Sequence, residues 1–472
     1  MKRILFIIGG AVGLLVLVLL AVLLLVDVNR YKPRLESAAS KALGMEVRIG
    51  GRLDVGFLPG FHVTLGDGQI LGDRGVAIAS AKRVRLWIEL LPLLRGEFRL
   101  REVELTQPSF SIEQDPVGRF NVERLKKAAA LLGALHGGSV SIVDGTLLYA
   151  NRRSGNGFEA TGLNLSVSRI RFTADTSPEF SKCLSLKGEL TCREIRTKDF
   201  SISAVKISID GKDAVFEFEP VTMRIFGGQA AGNLRADLSG PVPLYQVRCS
   251  LPRFRIEEFL KTLSPKKAAE GAMDFSASLS MQGKTGSQMV QTAAGDLSLR
   301  SGHLMLVGND LDRQLSRLES SQRFNLVDVG AVFFAGPLGL AATRGYDFAG
   351  LFRGSGGNSS IGILVSDWTV DRGVAQAKDV AMATSQNRIA LQGGLDFVHE
   401  RFADVTVAVI DAKGCARVRQ EIHGSFEKPT VEKPRILTSL AGPVLRLYRQ
   451  ARSLLPSGPC EVFYSGSVAP PR

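Results

Sequence analysis

A strict period of two runs through most of this chain, and it fixes the kind of fold the chain can adopt. Val84, Leu86, Ile88 and Leu90 alternate with Arg83, Arg85, Trp87 and Glu89. Met273, Phe275, Ala277, Leu279 and Met281 alternate with Asp274, Ser276, Ser278 and Ser280. Successive side chains of a strand point to opposite faces, so each run reads as a strand with one apolar and one mostly polar face. The same period returns at Leu163 to Val167, Phe200 to Ile209, Leu297 to Leu299 and Val405 to Val409. Asp144-Gly145, Asp210-Gly211 and Gly393-Gly394 read as turns between such runs. The expectation is mainly β, antiparallel, with roughly 20 to 30 strands.

Helical signals are few. Arg30 to Leu43 has Pro33 near its start and Gly44 after its end, the usual placement of those residues at helix boundaries. Asn121 to Leu135, Asp310 to Leu318 and Val444 to Leu455 complete the set; the last is basic and amphipathic. With so few helices, a one-sided sheet either folds on itself as a sandwich or curls into a trough whose inner face is free for an apolar ligand. The alternation is the same in both.

The amino terminus is a different material. The stretch from Ile4 to Val26, with Leu14, Leu15 and Leu20 at its centre, carries no charge, and a helix of that length reaches roughly 34 Å against a hydrocarbon core of about 30 Å. Lys2 and Arg3 precede it, which predicts a cytoplasmic amino terminus and an exported remainder. Its length and the missing small-x-small site favour an uncleaved anchor over a signal peptide.

Chemistry is hard to find. The five histidines, His62, His136, His303, His399 and His423, show no metal-binding spacing. There is no nucleophile elbow and no phosphate-binding P-loop, and Gly354 to Ser360 reads as a flexible loop. The 59 basic and 46 acidic residues leave a net charge of +13, spread along the chain without any nucleic-acid motif. The reading is of a protein that is not an enzyme, with no catalytic residue, metal or cofactor and no nucleic-acid partner. Of the five cysteines, Cys183 and Cys192 would face each other across a two-residue turn at Lys187-Gly188. That register puts Leu190 on the face opposite Leu184 and Leu186, so the apolar pattern opposes the disulfide and the pair stays open.

Several ordered stretches then carry a resemblance. Asp27 to Glu36, Ala42 to Gly51, Leu90 to Phe98, Val103 to Pro108 and Asp115 to Asn121 follow the apolar anchor. In that order they resemble the amino-terminal region of the AsmA family of Gram-negative envelope proteins. Ala294 to Leu304, Gly308 to Leu311, Asp371 to Ala375, Gly424 to Pro429 and Ser439 to Pro443 look like that family's carboxyl-terminal domain, with Asn309 departing from its more usual apolar residue. The resemblance implies a single-pass inner-membrane protein with its bulk in the periplasm. Its expected fold is a transmembrane helix followed by an elongated, twisted antiparallel β-sheet trough of the bridge-like lipid-transfer type, with a few short helices. The implied organisation is a stub and anchor at 1–26, a β-rich region at 27–290 and a carboxyl-terminal domain at 291–472. The implied function is to bind phospholipid acyl chains on the apolar sheet face and assist lipid transport to, or assembly of, the outer membrane. The alternative is a non-enzymatic scaffold for outer-membrane protein assembly. Membrane lipid is the expected partner, with outer-membrane assembly proteins beside it. Val84, Leu86, Ile88, Leu90, Met273, Phe275, Leu279 and Met281 are the expected apolar-face residues, and in this setting Cys415 and Cys460 look like a structural disulfide.

Overall fold

Twenty-two strands and a few short helices make up the described part of the chain. The structure, a computed structural model, describes residues 28–72, 75–95, 99–122, 135, 137–172, 184–262, 269–308, 310–315, 356–433, 435–436, 460 and 462–471. The anchor residues Ile4, Leu14, Leu15, Leu20 and Val26 lie outside them, as do most of the expected helix at Asn121 to Leu135 and all of that at Val444 to Leu455. No helix among the described residues is long and apolar enough to cross a membrane. Packing divides the chain into two units, Met1–Lys198 and Asp199–Arg472.

The first unit opens with a short 3-10 turn at Val28–Tyr31 and a helix at Lys32–Leu43. Pro33 lies at the start of that helix and Gly44 ends it in the left-handed conformation (φ 70°), which glycine adopts without a Cβ penalty. Eight strands follow: β1 (Glu46–Ile49), β2 (Leu53–Gly56), β3 (His62–Leu71), β4 (Ala77–Ile88), β5 (Leu100–Gln114), β6 (Ser139–Asn151), β7 (Gly157–Phe172) and β8 (Leu184–Thr197). Strands β1 and β2 both pair with β3, and the ladder then runs β3 to β8 in chain order. All these pairings are antiparallel except β5 with β6, which is parallel and therefore needs the long return connection between Gln114 and Ser139. The segment from Leu184 through Lys187-Gly188 to Thr197 is one continuous strand, so no turn forms at Lys187-Gly188; Cys183 lies outside the described residues.

The second unit holds β9 (Ser201–Lys212), β10 (Val215–Ile225), β11 (Gly228–Asp237), β12 (Leu244–Arg255), β13 (Ala269–Gln282), β14 (Ala294–Ser301), β15 (Leu304–Val307), β16 (Asn358–Asp371), β17 (Val374–Thr384), β18 (Arg388–Asp396), β19 (Arg401–Ile410), β20 (Ala416–Gly424), β21 (Pro429–Val431) and β22 (Arg435–Ile436). It is an antiparallel meander in which β13 and β16 each pair with both β14 and β15. The β9–β10 turn sits at Asp213 and Ala214, both at positive φ (51° and 63°), just after the position that Asp210-Gly211 suggests. That geometry matches the twist of a two-residue hairpin.

The unit's main core gathers Phe254, Phe259, Met273, Leu306, Leu364, Trp368, Met382 and Ile389. A second cluster lies on the other side of the same strands, where Val365, Ala381, Ala383, Ala390 and Ala408 meet Tyr464 and Val468 of the terminal segment. Strands β16 to β19 are thus covered on both faces, as their nearly continuous apolar runs require. Cys415 and Cys460 are joined as a disulfide beside that segment. Tyr464 Oη donates to Asp379 Oδ1 at 2.5 Å and Arg388 Nη1 donates to the Val468 carbonyl at 2.9 Å, so polar bonds hold the terminal segment as well.

Candidate functional site: a one-sided apolar sheet

In the first unit the period-two pattern of single strands lines up across all of them. Directly opposed residues share a face of the sheet. One rung reads Leu65, Val84, Leu105, Ile142, Leu165, Leu190 across β3 to β8. The next reads Val63, Leu86, Val103, Val140, Val167, ending at Gly188. The rung between them, on the other face, is Thr64, Arg85, Glu104, Ser141, Ser166, Glu189. The sheet therefore has one greasy and one charged side over six strands.

Both apolar rungs stay half-buried from Leu65 to Leu190. Among the described residues, β3 to β8 pack chiefly against their ladder neighbours, and both large apolar clusters belong to the second unit. No described element covers this face as the core covers Trp368.

The rungs also change phase together. Asp67, Gln107, Asp144 and Gly162 take positive φ (47°, 48°, 53° and 64°) in the interiors of β3, β5, β6 and β7. The apolar positions shift by one place at this line, while the pairing register itself breaks there only around Asp144-Gly145 of β6. Beyond this line the rung resumes as Ile70, Ala79, Phe110, Leu147, Ala160, Ile195, an odd number of places from its counterpart in every strand. Asp144-Gly145 is therefore a bulge inside β6, and Gly393-Gly394 likewise lies inside β18; neither ends its strand. Gln107 Nε2 donates to Asp144 Oδ2 at 3.2 Å, and Arg193 Nη2 reaches Asp144 Oδ1 at 3.2 Å, which lines the slip with polar contacts.

The expected apolar-face residues divide three ways. Val84, Leu86 and Ile88 lie in β4, the first two on the rungs above. Leu90 lies past the strand at the start of a short helix, Leu90–Leu94, and is exposed. Met273 in β13 is 1% exposed inside the second unit's core, and Phe275, Leu279 and Met281 pack against that core. The rung through Leu279 starts half-buried at Ile209, Phe218, Leu234 and Val247. Its neighbour through Ala277 runs on into Leu297 and the fully buried Trp368.

Several polar features lie outside that face among the described residues. Two shallow cavities of about 350 and 520 Å³ lie over β10 to β14, lined on the polar side by Asn233, Arg248, Ser278 and Asp296. His423 Nε2 stands 3.7 Å from Glu421 Oε2 and 3.3 Å from Glu432 Oε1, while Arg435 takes the other oxygen of each carboxylate. Arg435 thus forms ion pairs with both half-buried carboxylates. Asp396 is buried, which raises its pKa, but the bonds it accepts from His399 and Arg401 outweigh this and hold it ionised below its usual range. It also accepts from the backbone of Val398 and His399, a turn-closing role. Burial pushes the thiols of Cys192 and Cys249 up, and Cys192 Sγ donates to the carbonyls of Thr161 and Glu194, so neither thiol is set up as a nucleophile.

A β-rich protein with a one-sided apolar sheet and no assembled reaction centre among its described residues is the class this geometry defines. The AsmA family matches residues 1–181 and 175–333, most of the chain, and the chain belongs to that family. Membership implies a protein of the cell envelope. No curated protein matches the chain. The stretches at Asp371, Gly424 and Ser439 that resemble the family's carboxyl-terminal domain lie beyond the matched residues.

Proposed function

We propose that this protein binds phospholipid acyl chains on the apolar face of β3 to β8 and assists lipid movement between envelope membranes, without catalysing a reaction. The observation that carries the reading is the unbroken rung Leu65, Val84, Leu105, Ile142, Leu165, Leu190, half-buried along its whole length. Six strands at about 4.8 Å give a rung of roughly 24 Å. That exceeds the roughly 15 Å spanned by one leaflet's chains, half of a hydrocarbon core of about 30 Å. A chain of about 15 methylenes with half its surface covered gains roughly 6 kcal/mol, from about 0.8 kcal/mol per buried methylene. The gain is spread along the rung with no anchoring polar contact, which suits a surface that holds lipid and lets it slide. The charged rung through Arg85 and Glu104 keeps the other side in water. An anchor at Ile4 to Val26 would hold the sheet beside the inner membrane, with the remainder in the periplasm.

Native mass spectrometry of the full chain, extracted gently and stripped of detergent, tests the reading. Co-purified phospholipid is expected, and it is lost when Leu105 and Leu165 are both changed to Glu. A lipid-free wild-type protein, or equal lipid in the double variant, would count against it and leave the scaffold reading.

A further inference from the structure

One end of the first unit exposes an apolar tip that neither the ladder nor the acyl-chain reading uses. The β2–β3 loop raises Leu58, 89% exposed, beside Phe57, whose ring packs on Phe61 at 5.3 Å between centroids. Ile88 N donates to the Phe61 carbonyl at 3.0 Å, which brings the end of β4 to the same place. There the short helix that begins at Leu90 leaves Leu91 75% exposed. Trp87 lies against His62 at 5.7 Å, with the Arg85 guanidinium 5.3 Å from its ring centre. Arg52, Arg95 and Arg101 are exposed nearby in the sequence, against Asp54 and Glu89. Exposed leucines, an amphipathic tryptophan and arginines are the residues that settle at a bilayer's headgroup boundary.

The chain's path says which bilayer. The uncharged stretch ends at Val26, and Asn29 Oδ1 accepts from Leu53 N at 2.9 Å, tying the start of the described chain to β2. β2 is four residues long, so the Leu58 loop begins roughly 13 Å from that tie at about 3.3 Å per residue. A tip tethered so closely meets the membrane at a high effective concentration.

We propose that Phe57, Leu58, Leu90 and Leu91 form a second, peripheral membrane contact, inserting into the headgroup boundary of the bilayer in which Ile4 to Val26 is anchored. The inference rests on the reading of that stretch as a membrane anchor. It places the entrance of the apolar sheet at the lipid surface, so that a chain leaving the bilayer need not cross water first.

The two tryptophans make the test clean, since Trp368 is fully buried in the second unit and Trp87 lies at the tip. The full chain is reconstituted into phosphatidylcholine vesicles carrying brominated acyl chains, and flotation checks that it is anchored. The expected result is loss of the Trp87 emission with that of Trp368 retained; Trp87→Phe leaves nothing to quench. The double variant Leu58→Asp/Leu91→Asp still floats but regains the Trp87 emission. Floating protein whose Trp87 stays bright overturns the tip contact while leaving the anchor standing, and quenching that survives the double variant overturns it as well. Protein that does not float contradicts the anchor itself and the tip contact with it.

Discussion

Replacing a leucine of the apolar rung should cost much less stability than replacing one of the core, and the difference can be worked from burial. Leu364 is fully buried among Trp368, Met382 and Ile389. Truncation to alanine there removes about 2 to 5 kcal/mol, because the lost transfer energy is joined by a cavity that packed neighbours cannot fill. Leu105 is half-buried on a face that no described element covers. Full burial of a leucine is worth about 1.5 to 3 kcal/mol, so Leu105→Ala should cost about 1 kcal/mol, with no cavity to add. Each unit carries one tryptophan, Trp87 in β4 and Trp368 in β16, so denaturant unfolding of the full chain can be followed separately in each. Trp368→Phe leaves Trp87 as the reporter for Leu105→Ala, and Trp87→Phe leaves Trp368 for Leu364→Ala. If Leu105→Ala lowers the first unit's stability by as much as Leu364→Ala lowers the second's, something seals that face, and the open-sheet argument fails.

Three further outcomes follow from local geometry. At the phase slip, Asp144→Gly should be close to neutral and Asp144→Val should lose about 1 to 3 kcal/mol of first-unit stability, because the left-handed backbone matters more there than an exposed ion pair worth under about 1 kcal/mol; equal losses on urea unfolding would contradict this. Joint replacement of Cys415 and Cys460 by serine should destabilise the second unit by up to about 4 kcal/mol, the chain-entropy limit for a sequence separation of 45, read from the Trp368 midpoint with and without reductant. Burial raises the Asp379 pKa, but bonds from Ser467 and Tyr464 outweigh it and the net value is lowered. A lowered carboxyl pKa stabilises the fold above its ordinary value of 3.8 and loses that contribution as pH falls through the native one, so the terminal segment should become protease-sensitive in acid below about pH 4, and Asp379→Asn should show the sensitivity at neutral pH.

Much of this architecture can be read in single strands. The alternation at Val84 to Ile88 and at Met273 to Met281 marks two strands correctly, because the side-chain period belongs to the strand itself. What covers a strand does not belong to it. Met273 and Val84 look alike in sequence, yet one lies in a packed core and the other on a half-open sheet, because the partners of β13 pack into a core and, among the described residues, those of β4 have no such cover. The breaks in alternation mislead for a related reason. A bulge at Asp144-Gly145 and a turn both need a left-handed residue, so the dipeptide signals the backbone conformation and leaves its consequence undecided. Only the ladder shows that Asp67, Gln107, Asp144 and Gly162 stand at one level. Lys187-Gly188 is no turn, and Leu184, Leu186 and Leu190 share one face of a single continuous β8, the common apolar face that opposes the disulfide register. The tip at Leu58 and Leu91 left no periodic trace, since its exposure arises where the β2–β3 loop meets the short helix at Leu90–Leu94.

Site-by-site photocrosslinking along β5 addresses the claim most directly. A benzophenone amino acid is placed singly from Val103 to Ile112 in the full-length protein in its own membranes, and phospholipid adducts are scored by mass spectrometry. Adducts are expected at Val103 and Leu105, not at Glu104, and then, past the slip at Gln107, at Phe110 and Ile112, not at Ser109 or Ser111. Adducts on both parities alike, or on none, would contradict a lipid-holding apolar face.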